Sequence, residues 1–79
     1  MNDKRLYHNV ERKIAKLIDD GMFPPGSRLP AERDLAERFG VSRVTIREAQ
    51  IALQALGRIE IKTGSGVYVL DQKGEQDDA

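Results

Sequence analysis

The 79-residue sequence contains no cysteine, which excludes disulfides, thiolate metal sites and cysteine nucleophiles. That absence fits a reducing cytoplasm. Histidine occurs once, at His8, with no partner at metal-ligand spacing, so it reads as a surface residue. No apolar run approaches the roughly 20 residues of a membrane span. The charged start "MNDKRLYHNVERK" has no signal-peptide core, so a cytoplasmic protein with no membrane partner is expected. Aromatic residues are scarce, at 5%. Tyr7, Phe23 and Phe39 are scattered rather than interleaved with basic residues, which suits core positions better than a base-stacking platform. There is no repeat and no low-complexity tract. The length allows one small domain with a modest core.

Net charge is also missing, with 13 basic and 13 acidic residues. The balance is uneven along the chain. The last nine residues, "DQKGEQDDA", hold four acids against Lys73 alone, so the body before them is net +3. Between Arg28 and Gly66 seven basic residues face five acidic ones, several of the arginines near expected helix starts. The overall neutrality hides a local basic bias, though solvated charge mixtures are common on small domains.

What is present is periodic. Leu6, Val10, Ile14, Leu17 and Ile18 recur at spacings of three and four, predicting an amphipathic helix over about 6–20 that stops at Gly21. Pro24, Pro25 and Gly26 break regular structure, and a short extended segment at 27–29 can precede Pro30. A second helix is expected over about 31–39, with Leu35, Ala36 and Phe39 on one side and Gly40 at its end. Ser42 is the N-cap candidate for a third helix running to about Leu56, its core stripe Ile46, Ala49, Leu53 and Leu56, with Gly57 as the C-terminal stop. The period then changes to two. "RIEIKTGSGVYVL" alternates about a glycine-rich loop, as a β-hairpin does. The tail at 71–79 has no periodicity and reads as a disordered acidic tail or the start of a linker.

Two helices joined by "GVS" and followed by a hairpin have the form of a winged helix-turn-helix: mainly α, three helices plus a wing. In that setting Arg43 and Arg47 share a helix face with Gln50 and Gln54, away from the core stripe. Arginine is disfavoured at a helix start by the macrodipole, and a polyanion would offset that cost. Either arginine can fork onto guanine O6 and N7 or onto a phosphate, and the hydroxyls of Ser42 and Thr45 can bond phosphate or base edges. Val44 can touch a thymine methyl or simply pack. Glu32 and Glu48 look less like an acid–base pair than like partners steadying the arginines. "TGSG" lacks the strand–loop–helix context of a phosphate cradle and reads as a hairpin turn. Ile51 lies off the core stripe and faces a neighbouring element or another domain.

"LPAERDLAERFGVSRVTIREAQIALQALGRIEIKTGSGVYV", residues 29–69, resembles the N-terminal winged helix of the GntR family of bacterial transcription regulators. The "FPPGSRLPAERDLAERFGVSR" start and the "REA…ALGRIEI" continuation are similar to the FadR-like subfamily, and with the first helix the likeness covers about 6–70. The resemblance implies that Arg33 approaches bases or phosphates from beside the groove, and that Arg43 and Arg47 are the recognition-helix arginines, Arg43 the better candidate for guanine. It also matches Ser42, Val44 and Thr45 to the helix entrance, and Thr63 and Gly64 to a wing tip in the minor groove. Two positions depart from the pattern. Thr63 replaces the histidine of the better-studied FadR-type wing, and Val44 stands where relatives often carry a hydroxyl.

The expectation is therefore sequence-specific binding of double-stranded DNA by the winged helix of a metabolite-responsive regulator, most simply a repressor. The resemblance implies a palindromic operator, a homodimer in the full regulator, and a small-molecule effector bound by a C-terminal domain absent from these residues. This stretch alone should bind as a weak dimer or a monomer. The rival is a winged-helix protein-interaction module that no longer reads DNA. The three arginines oppose it, while the zero net charge and Ile51 keep it open. No nucleophile–base pair suggests an enzyme, and no cofactor or metal is implied.

Overall fold

A computed structural model of the chain describes residues 3–71. Three helices, α1 (Asp3–Asp19), α2 (Glu32–Phe39) and α3 (Arg43–Ala55), precede strands β1 (Ile59–Lys62) and β2 (Gly66–Val69). The strands pair antiparallel, from Ile59 opposite Val69 to Lys62 opposite Gly66. The extended segment expected before Pro30 forms and adds to the free side of β2. Arg28 bridges Tyr68, the Leu29 N–H donates to the Val67 carbonyl at 2.8 Å, and the Val69 N–H donates to the Ser27 carbonyl at 2.9 Å. The winged helix-turn-helix is thus a three-helix body with its hairpin anchored along β2 by the connection between α1 and α2.

The local signals explain the boundaries. Gly40 closes α2 in the left-handed conformation, φ +69°, which any side chain would strain. Two residues later Ser42 caps α3, its Oγ accepting the Thr45 N–H at 3.1 Å. The turn between α2 and α3 is therefore tight, and the two helices are locked at a fixed relation by their own end groups. Ile14, Leu35, Ile46, Leu53, Ile59 and Val69 are fully buried and form one core with Val10, Leu29, Ala36 and Ala49. Phe23 and Phe39 pack on its edge, and Tyr7 does the same, its ring centre 4.6 Å from that of an exposed His8 and tilted by 32° to it, while His8 meets Glu11.

Three members of the expected stripes are not core: Leu17 is half-buried outside the core cluster, and Leu6 and Leu56 are exposed. Leu6 is 41% exposed, although its neighbour Tyr7 packs on the core edge. Leu56 is 62% exposed. The chain turns at Gly57 as soon as α3 ends, and Ile59 on β1 takes the buried place. Arg58 fastens this corner, donating from Nη2 to Asp19 Oδ1 at 2.5 Å across the end of α1. Residues 72–79, and so nearly all of the expected acidic tail, lie outside the described residues.

The contrast between the two leucines is testable by urea unfolding. Leu53→Ala should cost about 3 kcal/mol, as a buried leucine does, whereas Leu56→Ala should stay within about 0.5 kcal/mol.

Candidate nucleic-acid interface

The exposed face of α3 is narrower than helical arithmetic from the arginines suggests. Val44, Arg47 and Ile51, at spacings of three and four, run down its middle, with Arg43 and Gln54 alongside. Val44 and Ile51 are 59% and 55% exposed. Ile51, unassigned between a neighbouring element and another domain, therefore lies on the same open face as the arginines. Gln50 does not share that face: it is buried, being four residues after Ile46 and three before Leu53 and so drawn against the core. Thr45 is likewise buried, four residues before Ala49, and its hydroxyl is 3.0 Å from Ser42 Oγ. The pair of free hydroxyls expected at the helix entrance is instead a capping pair whose oxygens already serve each other and the Thr45 N–H.

The first turn of α3 contains no acid of its own to balance the dipole. Glu32, the first residue of α2, supplies it from across the turn. Arg47 donates two bonds to its carboxylate, Nε to Oε2 and Nη2 to Oε1, both 3.0 Å, and Arg43 Nε lies 3.8 Å from Oε1. The fork-to-fork geometry fixes the plane of the Arg47 guanidinium while leaving the side chain 57% exposed. The hydrogen bonds from Arg47 hold the Glu32 carboxyl below its ordinary pKa, against a smaller opposing effect of burial, and the charges of Arg47 and Arg43 add to this. The same bonds raise Arg47. Glu32, not Glu48, is the steadying acid.

Arg33 is exposed beside this cluster. It lines an open hollow with Ala31, Glu32, Asp34 and Arg43, so the helix start of α2 and the entrance of α3 present Arg33 and Arg43 together. Thr63 and Gly64 stand apart from them, exposed in the turn of the hairpin. The link between hairpin and recognition face is Gln54, whose Oε1 accepts the Ile61 N–H at 2.7 Å. Gln54 is thus a strut joining α3 to the edge of β1, a role its helical position alone does not disclose. Among the described residues no group of three or more His, Cys, Asp or Glu could hold a metal ion. No helix in that range is long and apolar enough to cross a membrane.

A tight turn between two helices, a cationic exposed face on the second, and an anchored hairpin beside it define a winged helix-turn-helix DNA-binding domain. Residues 6–69 match the model of the bacterial regulatory proteins of the gntR family. The chain belongs to the GntR family. It is 49% identical over 71 residues to an uncharacterized HTH-type transcriptional regulator of Mycobacterium tuberculosis, covering 90% of this chain and 29% of that protein. It is 44% identical to the Uxu operon transcriptional regulator of Escherichia coli, covering 92% of this chain and 28% of that one. The chain thus spans less than a third of the length of these curated relatives. Among solved structures, the AraR DNA-binding domain in complex with its operator ORR3 superposes with a TM-score of 0.77 at 36% identity, covering 81% of this chain and 77% of that one. A GntR-family regulator from Listeria monocytogenes gives 0.80 at 26% identity, covering 91% and 63%.

Protonation tests the Glu32 clamp. Because its carboxyl sits below the ordinary value of 4.5 in the folded state, the clamp stabilises the fold above that value and is lost as pH falls through the lower, folded value. The stability difference between the wild type and Glu32→Gln should be present at neutral pH, begin to fall below about 4.5 and vanish once the pH is below the lower, folded value. An NMR titration of the Glu32 carboxyl reads the folded midpoint directly.

Proposed function

We propose that this domain binds an operator sequence in double-stranded DNA, and that the face carrying Arg43, Val44, Arg47 and Ile51 enters the major groove. The observation that carries the reading is the Glu32 clamp. It presents two arginines, more than half exposed, on the open face of α3. Arg43, held only at 3.8 Å, is the freer of the two and the better reader of guanine. Arg47, whose plane is fixed, suits a phosphate or a base at set distance. Arg33 contacts the backbone beside them, and Thr63 with Gly64 takes the wing tip to the adjacent minor groove. Val44 and Ile51 supply apolar contact to thymine methyls on the same face. Ser42 and Thr45 act through their cap, holding the helix entrance rather than reaching a base.

In this reading the domain serves a cytoplasmic transcription regulator, a repressor in the simplest case, and is not an enzyme. The full regulator is a dimer on a palindrome, with a small-molecule effector bound by a domain outside these residues. The Escherichia coli mannosyl-D-glycerate system repressor and the Pseudomonas putida histidine utilization repressor, each 39% identical to this chain, support the direction of regulation.

Selection of bound duplexes from a random pool, with Arg43→Ala and Arg47→Ala in parallel, tests it. A short palindromic motif should be enriched. Arg43→Ala should lose one base preference at a cost of about 1–3 kcal/mol. Binding that enriches no motif would contradict base readout, and no binding at low salt would favour a protein-interaction module.

A further inference from the structure

The outer face of the wing carries a second, separate cationic site. Ile59 and Val69 pair across the hairpin and are buried, so alternation places Glu60, Lys62, Gly66 and Tyr68 on the opposite, outer face. Arg28 bridges Tyr68 from the neighbouring extended segment and therefore belongs to that face as well. Its side chain runs over Gly66. A Cβ built at Gly66 would lie 2.5 Å from Arg28 Nε and 3.2 Å from its Cδ and Cζ. The absent side chain at 66 is what leaves Arg28 this path along the hairpin. Lys62, opposite Gly66 in the register, places its Nζ 5.2 Å from the centre of the Tyr68 ring, and the Tyr68 hydroxyl reaches Ser65 Oγ at 2.9 Å in the turn.

Two cations are therefore held against the hairpin by an aromatic ring and a bare glycine rather than by carboxylates. Among the described residues no ion pair engages either Arg28 or Lys62, whereas Arg43, Arg47 and Arg58 each have one. Glu60 shares this face but closes no ion pair on either cation, so two long side chains ordered beside the wing tip leave a positive surface pre-shaped for an anion. It is continuous with Thr63 and Gly64.

We propose that Arg28 and Lys62 form a phosphate grip on the outer side of the wing, holding the sugar-phosphate backbone that borders the minor groove, with Tyr68 and Gly66 as their supports. This rests on the DNA-binding reading above. The grip adds affinity and register but no base preference, because phosphates carry no sequence. It is distinct from the Arg33–Arg43–Arg47 cluster, which the duplex meets on α3.

The test measures binding of the 79-residue chain to a mixed-sequence 24-base-pair duplex and to a selected duplex over a salt series. Arg28→Ala, Lys62→Ala, Arg28→Lys and Arg43→Ala are compared, with circular dichroism confirming the fold of each. Arg28→Ala and Lys62→Ala should each weaken both duplexes alike, roughly five- to tenfold at low salt, and each should lower the slope of log affinity against log salt by about one. Arg28→Lys should restore the slope. Affinity and slope unchanged in both alanine variants, while Arg43→Ala weakens binding, would overturn the grip and leave the α3 reading standing. A loss confined to the selected duplex would overturn it too, assigning these residues to base readout. No binding by the wild type at any salt would remove both proposals together.

Discussion

Glu32 begins one helix and answers the needs of another. Its carboxylate closes a bidentate bond on Arg47 and draws Arg43 to 3.8 Å, so the N-terminus of α3 gains the negative partner its own first turn lacks. Exposed ion pairs in general contribute little to stability. The weight of this one is geometric. Two arginines on successive turns would repel each other and the helix dipole, and a single acid shared between them settles both problems while leaving the guanidinium groups open to solvent. The tight turn from Gly40 to Ser42 is what brings α2 close enough for the bond to form.

Around that clamp the rest of the domain works as a mounting. Ser42 and Thr45 spend their hydroxyls on the helix cap, which sets where α3 begins. Ile46, Ala49 and Leu53 bury its inner side, so the opposite side must face outward. Gln54 ties the far half of α3 to β1, and the segment at 27–29 ties β2 back toward α2, so the hairpin is placed by hydrogen bonds on both of its sides. A neutral chain can then present a cationic surface, because the charge that matters is sorted by face rather than by sum. Glu32 engages the arginines of α3, while Lys62 on the wing and Arg28 on the segment beside it form no ion pair among the described residues.

The elements were legible because their signals are local. Gly40, Ser42 and Gly57 mark helix ends through their own backbone preferences, and the change of period after Leu56 announces the hairpin. The place of the arginines on α3 was readable from the short turn, whereas the steadying role was read for Glu32 and Glu48 alike and only Glu32 is close enough to hold it. What could not be read depends on contacts between distant residues or on where an element runs out. Leu6 and Leu56 extend apolar stripes onto exposed positions. Gln50 and Thr45 border the core, and a helical wheel drawn from the arginines places them on the wrong side of that border. The Gln54 strut and the passage of Arg28 over Gly66 join residues 7 and 38 positions apart, so no local pattern contains them.

The central claim is that the uncovered side of α3, held in place by Glu32, is the surface that meets DNA. Nitrogen-15 NMR of the chain titrated with a short duplex tests it most directly, reading backbone amides and the Nε–H groups of arginine together. The expected result is a footprint on Arg43, Val44, Arg47 and Ile51 that extends to Thr63 and Gly64, with α1 silent. A footprint centred instead on α1 and Phe39, with the Arg43 and Arg47 signals unmoved, would contradict the account.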